Sequence, residues 1–255
     1  MTDSKIILVT GASSGFGRAI ALQFAASGWN IIITGRRAQR LQDLAEQIKT
    51  AYKVDVLPLV FDVRNRQAVT AQLADLPQDW QAIDVLVNNA GLALGRANFD
   101  QADIDDWETM IDTNIKGLLY VSRGVLPYFE KRGKGHIINI GSTAAKDVYP
   151  MGNVYCATKS AVEAISKAQR IDLLSKKIKV TAIHPGAAET EFSLVRFKGD
   201  QAESDQVYAG YQALEAGDIA DITYYVANLP AHVCINDLVV TCTAQANGFF
   251  TYKEG

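Results

Sequence analysis

Tyr155 and Lys159, in the second half of the chain, have the types and spacing of a proton-transfer pair. They open a predicted helix over residues 153–177, and a separation of four residues puts both side chains on one helix face. A free phenol has a pKa near ~10, and a neighbouring cation favours the phenolate and lowers that value. The pair therefore predicts acid–base chemistry. The alternative is a surface tyrosine beside a surface lysine, and the remaining motifs decide between the two.

A glycine-rich turn near the N-terminus predicts a phosphate-binding site. It joins an apolar, β-branched run at 6–10, typical of a strand buried on both faces, to a helical pattern at 18–27. Glycines let the backbone approach a ligand closely, and a helix N-terminus offers unpaired N–H groups to a phosphate. The spacing is G-x-x-x-G-x-G rather than the commoner G-x-G-x-x-G, and the alternative is a turn without a ligand. The residues assigned to this site are Gly11, Ser13, Ser14, Gly15, Phe16 and Gly17.

Two arginines after the second predicted strand, at 30–34, indicate the kind of cofactor. Nicotinamide-binding folds often carry an acid near this point to hold the adenosine ribose hydroxyls. Arg36 and Arg37 stand there instead, and guanidinium groups suit the extra 2′-phosphate of NADP. We therefore predict NADP(H) as the cofactor. The alternative is that both arginines begin the next helix and face water.

The ends of the third and fourth predicted strands, at 55–61 and 83–87, add further candidates. Asp62 is placed to accept a hydrogen bond from an adenine amine, or else to cap the helix that begins near Asn65. Small residues after the fourth strand leave room for a flat ligand, although they also suit a plain turn. The cofactor residues assigned at these two strand ends are Asp62, Val63, Asn89, Ala90 and Gly91.

The order of the elements predicts an α/β fold. Further strands at 136–140, 178–183 and 238–241 alternate with helices at 38–51, 102–113, 117–132 and from 218 to near 230. This alternation predicts one Rossmann-type, doubly wound domain over residues 1–255, with a seven-stranded parallel sheet flanked by helices. Residues 187–217 are less regular and are predicted to be a mobile lid or substrate loop. The aromatic tail at 244–255 is expected to dock on its own chain or on a neighbour.

Composition excludes several classes of protein. The 255 residues are 48% hydrophobic and 21% charged, an ordinary globular balance. The net charge of −3 and the absence of a long basic run argue against a nucleic-acid partner. Three cysteines without metal spacing predict no metal site and a reducing compartment. With no signal peptide and no transmembrane run in the sequence, we expect a cytoplasmic protein without a membrane partner.

The motifs together resemble those of the short-chain dehydrogenase/reductase family, in order and over nearly the whole chain. They are TGASSGFG at 10–17, NNAG at 88–91, Asn114, Ser142, Tyr155 with Lys159, and PG at 185–186. The resemblance implies that Tyr155 is the catalytic acid/base, that Ser142 bonds the substrate oxygen, and that Lys159 lowers the pKa of the tyrosine and holds the nicotinamide ribose. Asn114 would position a water in a proton relay. The resemblance also assigns Pro185, Gly186 and Thr190 to the cofactor and implies a homotetramer.

A closer resemblance is to NADP-dependent serine and 3-hydroxy acid dehydrogenases, which also reduce malonic semialdehyde, with sulfoacetaldehyde reductases as a neighbouring group. It lies in the stretches 88–95, 106–114, 136–143, 195–200 and 229–233, and the chain departs from it at 145–151 and 187–189. It implies NADPH-linked reduction of a short aldehyde with a terminal acid group to the hydroxy acid. The alternative is an NADP-binding regulatory or scaffold protein without chemistry, against which the intact catalytic residues argue. Arg36 and Arg37 disfavour an NAD-linked dehydrogenase of larger alcohols.

An acidic substrate needs a cation beside the nicotinamide, and Arg196 is the first candidate. Its neighbours in sequence are apolar, so its stem can pack while its planar guanidinium reaches two acid oxygens. Lys198 and then Lys146 are the next candidates. The alternative leaves Arg196 in solvent, or paired with Glu191 or Asp200. The predicted substrate-binding residues are Ser142, Tyr149, Tyr155, Arg196, Gln245 and Phe250.

Overall fold

A seven-stranded parallel β-sheet forms the centre of the structure, a computed structural model that describes residues 4–253. Its strand order is β3-β2-β1-β4-β5-β6-β7, so the direction of winding reverses between β1 and β4. In such sheets, ligands bind outside the carboxyl ends of the strands at the point of reversal. The strands are β1 (Ile6–Thr10), β2 (Asn30–Gly35), β3 (Val56–Val60), β4 (Ile83–Asn88), β5 (Gly135–Ile140), β6 (Ile178–Pro185) and β7 (Asp237–Val240).

Helices cover both faces of this sheet, which confirms the predicted fold class. Alternate residues of β1 show why, because Ile7 and Val9 pack into one apolar cluster while Ile6 and Leu8 pack into another on the opposite face. Strands buried on both faces need the nearly continuous apolar runs that the sequence has. The helices are α1 (Gly15–Ala26), α2 (Ala38–Tyr52), α3 (Arg66–Ala74), α4 (Ile104–Ile111), α5 (Leu118–Arg132), α6 (Asn153–Asp172), α7 (Glu191–Arg196), α8 (Gln201–Tyr208) and α9 (Ala216–Ala227).

Several helix boundaries differ from those predicted. The helix predicted over 153–177 ends at Asp172, and a 3-10 turn (Leu174–Lys176) with Lys177 in the left-handed conformation follows it. The last helix ends at Ala227, earlier than predicted. The predicted lid is more regular than expected, because it contains α7 and α8, whose N-termini are capped by Thr190 and Asp200.

Among the helices of residues 4–253, none has both the length and the apolar composition needed to cross a bilayer. In the same part of the chain, histidine, cysteine and acidic side chains form no group of three or more that could hold a metal ion. The three cysteines, Cys156, Cys234 and Cys242, are free thiols.

Candidate active site

A cavity of about 1120 Å³ lies at the carboxyl ends of the central strands and brings most of the predicted residues together. Three predicted residues, Gly17, Asn114 and Phe250, do not line it. The predicted residues on its wall are Gly11, Ser13, Ser14, Gly15, Phe16, Arg36, Arg37, Asp62, Val63, Asn89, Ala90, Gly91, Ser142, Tyr149, Tyr155, Lys159, Pro185, Gly186, Thr190, Arg196 and Gln245.

The glycine-rich turn forms one end of this cavity at the N-terminus of α1. Gly11 has a φ of 67° and Gly15 a φ of 50°, a conformation that favours glycine. The side chain of Ser14, at the N-cap, makes no capping hydrogen bond, so the first N–H groups of α1 stay available to an anion. Gly17 does not line the cavity, and an added Cβ there would come within 2.5 Å of Asn89 Nδ2, so packing requires glycine at this position while its contact with a cofactor stays a prediction.

Arg36 and Arg37 border the same end of the cavity but have different partners. The side chain of Arg36 is 58% exposed, and its NH1 lies 3.9 Å from Asp62 Oδ2. The guanidinium of Arg37 donates to Ser13 Oγ from Nε (3.0 Å) and to Ser14 Oγ from NH2 (2.7 Å). Guanidiniums, serine hydroxyls and helix N–H groups together are donors that fit a nucleotide phosphate.

Asp62 does not cap the following helix, which was one of the two predicted roles. Asn65 is the cap of α3, because its Oδ1 accepts from Ala68 N. The carboxylate of Asp62 accepts instead from the backbone N and the guanidinium of Arg64. Partial burial raises the pKa of Asp62, but the hydrogen bonds from Arg64 outweigh it, so the pKa lies below its usual value and the group is ionised at neutral pH.

Tyr155 and Lys159 lie together on α6 and are 7% and 6% exposed. Lys159 Nζ donates to Ile140 O at 3.0 Å and lies 6.0 Å from the centroid of the Tyr155 ring. Burial lowers the pKa of Lys159 to about 8 and raises the pKa of Tyr155. The predicted lowering of the tyrosine pKa by Lys159 is therefore not found, because desolvation of the phenolate outweighs the nearby charges. At neutral pH the phenol holds its proton.

Ser142 follows β5 and lines the cavity beside Tyr155. Its hydroxyl favours the ionised form of Tyr155, and its Oγ also accepts from Ala144 N at 3.1 Å. His184 is fully buried behind it, and its Nδ1 accepts from Ser142 N at 3.4 Å. An added Cβ on Gly141 would lie 2.4 Å from this ring, so the ring fixes the backbone that carries Ser142.

Asn114 lies within a π-helical segment (Asp112–Gly117) between α4 and α5 and is 2% exposed. Its Oδ1 accepts from Leu92 N at 2.9 Å, and its Nδ2 donates to Leu92 O and to Thr158 Oγ1 at 2.8 and 3.0 Å. The amide therefore points into the protein rather than to solvent. These contacts join the end of β4 to α6, and the role in a water relay stays a prediction.

Arg196, the last residue of α7, extends over the two tyrosines of the site. Its guanidinium carbon lies 5.7 Å from the Tyr155 ring centroid and 5.6 Å from that of Tyr149, and its NH1 donates to Tyr149 Oη at 3.1 Å. Its Nε is buried and has no hydrogen-bond partner within residues 4–253. Glu191, one of the acids suggested as its partner, pairs with Arg37 instead.

The other predicted cations are bound elsewhere. Lys198 Nζ lies 2.9 Å from Asp106 Oδ2, and Lys146 Nζ lies 3.0 Å from Asp237 Oδ2 and 3.1 Å from Glu163 Oε1. Neither lysine lines the large cavity. Arg96, which the sequence reasoning missed, does line it. Its position five residues after the NNAG motif was the available signal.

The described part of the tail folds back on its own chain as a short hairpin. Ala246 N donates to Phe250 O, and Tyr252 N donates to Ala244 O. Gln245 lines the cavity as predicted, and its Oε1 accepts from Ala187 N at 2.8 Å. Phe250 is 65% exposed and does not line the cavity, whereas the preceding Phe249 does, so contact of Phe250 with a substrate stays a prediction.

Known proteins resemble this chain in sequence and in fold. A model of the short chain dehydrogenase family matches residues 5–200. The NADP-dependent 3-hydroxy acid dehydrogenase YdfG of Salmonella typhi is 49% identical over 242 residues, which cover 94% of this chain and 96% of the relative. Sulfoacetaldehyde reductase 2 of Chromohalobacter salexigens is 48% identical, with coverage of 95% and 96%. A closed form of serine dehydrogenase complexed with NADP+ superposes with a TM-score of 0.91 at 46% identity, covering 98% of this chain and all of that one.

Proposed function

Because the chain belongs to the short-chain dehydrogenase family, as its motifs predicted, we propose that it interconverts a short acidic aldehyde and the matching hydroxy acid with NADP(H). The relatives named above support both the cofactor and the class of substrate. The carboxylate candidates are malonic semialdehyde with 3-hydroxypropionate, and serine-type 3-hydroxy acids. The sulfonate candidate is sulfoacetaldehyde with isethionate. By family resemblance we also propose a homotetramer, which light scattering of the purified protein tests.

The residues around the glycine-rich turn fit NADPH. Its phosphates would lie at the N-terminus of α1 and its 2′-phosphate beside Arg36 and Arg37, where donors of the right kind converge. Gly91 lines the same cavity, and an added Cβ would lie 3.3 Å from Asn114 Oδ1 and 3.5 Å from Lys159 Nζ, so a side chain there would crowd these two residues. When bound, NADPH supplies the hydride for the carbonyl carbon.

Tyr155 supplies the proton that the substrate oxygen needs. Burial keeps its phenol protonated at neutral pH, so it can donate to the oxygen on which negative charge develops. The Ser142 hydroxyl reaches the same place and donates a hydrogen bond to that oxygen. Lys159, with a pKa of about 8, carries a positive charge below that pH and stabilises the phenolate left behind.

The observation that carries the substrate class is the guanidinium of Arg196. It is half-buried beside Tyr155, and its Nε lacks a hydrogen-bond partner in the described chain. A buried cationic donor without a partner is costly, and an anionic ligand provides one. A carboxylate or sulfonate two or three bonds from the carbonyl places the reacting carbon near Tyr155, which suits a short acidic aldehyde.

The test is NADPH oxidation with malonic semialdehyde, sulfoacetaldehyde and a neutral aldehyde of similar size. Arg196→Ala removes a charge-assisted interaction of roughly 1.5–3 kcal/mol, so KM for the acidic aldehydes should rise about tenfold to a hundredfold, with little change for the neutral one. Lys198→Ala is the matched control. It also removes one positive charge, but from a side chain two positions after Arg196 that is paired with Asp106.

Three outcomes would overturn parts of the proposal. Equal losses on acidic and neutral aldehydes mean that Arg196 orders the loop. No loss on either places the acid site elsewhere. If the unaltered protein oxidises NADPH with none of the aldehydes, the chain is a cofactor-binding protein without this chemistry.

A further inference from the structure

A carboxylate from α7 forms ion pairs with two arginines where the cofactor end of the cavity opens to solvent. Glu191, the first residue of α7, lies with Oε2 3.0 Å from Arg37 NH1 and Oε1 2.7 Å from Arg40 NH1. Arg37 is at the same time held by Ser13 and Ser14 of the glycine-rich turn. The acid therefore lies on the guanidinium that we assign to the 2′-phosphate of NADP(H).

The contact between Glu191 and the arginines is one between charged groups. Partial burial raises the pKa of Glu191, but the hydrogen bonds from Arg37 and Arg40 outweigh it, so its pKa lies below the usual value and the carboxylate is ionised at neutral pH. The side chain of Glu191 is 43% exposed, and that of Arg37 is 41% exposed. Solvent therefore weakens the pair without removing it.

A phosphate arriving at Arg37 meets this carboxylate. Both groups are oxyanions that seek the same kind of N–H donor, and the NH1 group of Arg37 already donates to Glu191. A 2′-phosphate carries more than one negative charge, so it repels an ionised acid that shares its arginine. A ligand with a free ribose hydroxyl at that position carries no such charge and meets no such competition.

We propose that Glu191 is a specificity-determining residue that competes with the 2′-phosphate for Arg37 and so limits the affinity for NADP(H). This inference rests on the proposed cofactor. Arg40, which holds both carboxylate oxygens (2.7 and 3.0 Å), is the partner that retains Glu191 when the phosphate takes Arg37. The site thereby binds the phosphorylated cofactor selectively and still releases it.

The test measures binding without turnover. Dissociation constants of NADPH, NADH, adenosine 2′,5′-bisphosphate and 5′-AMP are measured by calorimetry at low ionic strength for the unaltered protein and for Glu191→Gln. The matched control is Glu189→Gln, which removes the same charge from an exposed side chain on the same segment. Circular dichroism verifies that each variant is folded.

Glu191→Gln should bind NADPH and the bisphosphate about three- to tenfold more tightly, the size expected for screened charges in contact with one arginine. The dissociation constants of NADH and 5′-AMP should change less than twofold, and Glu189→Gln should behave as the unaltered protein.

Unchanged or weaker binding of the bisphosphate by Glu191→Gln refutes competition, as does an equal gain in affinity for ligands without the 2′-phosphate. An equal gain in Glu189→Gln would reduce the effect to overall charge. A protein that binds the bisphosphate no better than 5′-AMP contradicts the NADP assignment itself, which is a separate failure.

Discussion

The burial of Lys159 leads to a prediction about how stability depends on pH. Burial lowers the pKa of this lysine from 10.5 to about 8 in the folded chain, whereas the unfolded chain retains the higher value. Between these two values the unfolded state binds more protons than the folded state, so the free energy of unfolding rises with pH. A shift from 10.5 to about 8 corresponds to roughly 3 kcal/mol, because one pKa unit is about 1.4 kcal/mol.

The measurement is urea unfolding of the unaltered protein and of Lys159→Met at several pH values from 7 to 10.5. Other tyrosines and lysines titrate in this range, so the quantity of interest is the difference between the two proteins. That difference should move by roughly 3 kcal/mol in favour of the unaltered protein as pH rises through this range. Methionine keeps the length of the side chain and carries no charge, which isolates the titration of Lys159.

If the difference in free energy of unfolding between the two proteins stays constant from pH 7 to 10.5, burial does not disfavour the charged form of Lys159, and the reasoning about its charge is wrong.

The protonation of Lys159 should also appear in kinetics, since the pH dependence of kcat/KM for NADPH reports the ionisable groups of the free enzyme. It should fall above pH 8 as Lys159 loses its charge. In Lys159→Arg the residual activity should show no fall up to pH 10, because a guanidinium stays protonated.

Two further predictions concern the proton donor and the cofactor. Tyr155→Phe keeps the ring and removes the proton, so turnover should fall by roughly 10²–10⁴-fold in steady-state assays while the dissociation constant of NADPH hardly changes; near-normal turnover would remove Tyr155 from the mechanism. Arg36 and Arg37 should favour NADPH over NADH by one to several orders of magnitude, since charge-assisted bonds contribute about 1.5–3 kcal/mol each. Replacing both by alanine should erase most of that preference, and equal use of both cofactors by the unaltered protein contradicts the assignment.

The fold was predictable because its strands are buried on both faces. All five residues of β1 are buried, so its apolar run has one plausible interpretation. The end of α6 was not predictable in the same way. Leu173 is buried just past the last helical residue, whereas Leu174 after it is 74% exposed, so the apolar pattern continues beyond the helix end whether or not its residues pack against the sheet. Periodicity records residue type, and a helix end is set by contacts that periodicity does not contain.

The positions of the site residues were predictable where a motif fixes their place relative to the sheet. Properties that depend on burial, or on pairs of residues distant in sequence, were less predictable. Tyr155, Lys159 and Ser142 line one cavity because β5 ends and α6 begins at the same edge of the sheet. The direction of the tyrosine pKa depends on desolvation, which residue spacing does not report. Likewise, the Glu191–Arg37 pair joins residues 154 positions apart, and only the folded chain brings them into contact.

Helix α7 carries an acid at one end and an arginine at the other. Glu191 touches the arginines of the cofactor mouth, and Arg196 contacts the two tyrosines of the site. Six residues of α-helix measure about 9 Å, so the two ends lie on one short rigid rod. A ligand that moved one end of this rod would also move the other, and the two binding equilibria would then be thermodynamically coupled. Such coupling would be reciprocal. If a bound cofactor changed the affinity for an acidic substrate by some factor, the bound substrate would change the affinity for the cofactor by the same factor.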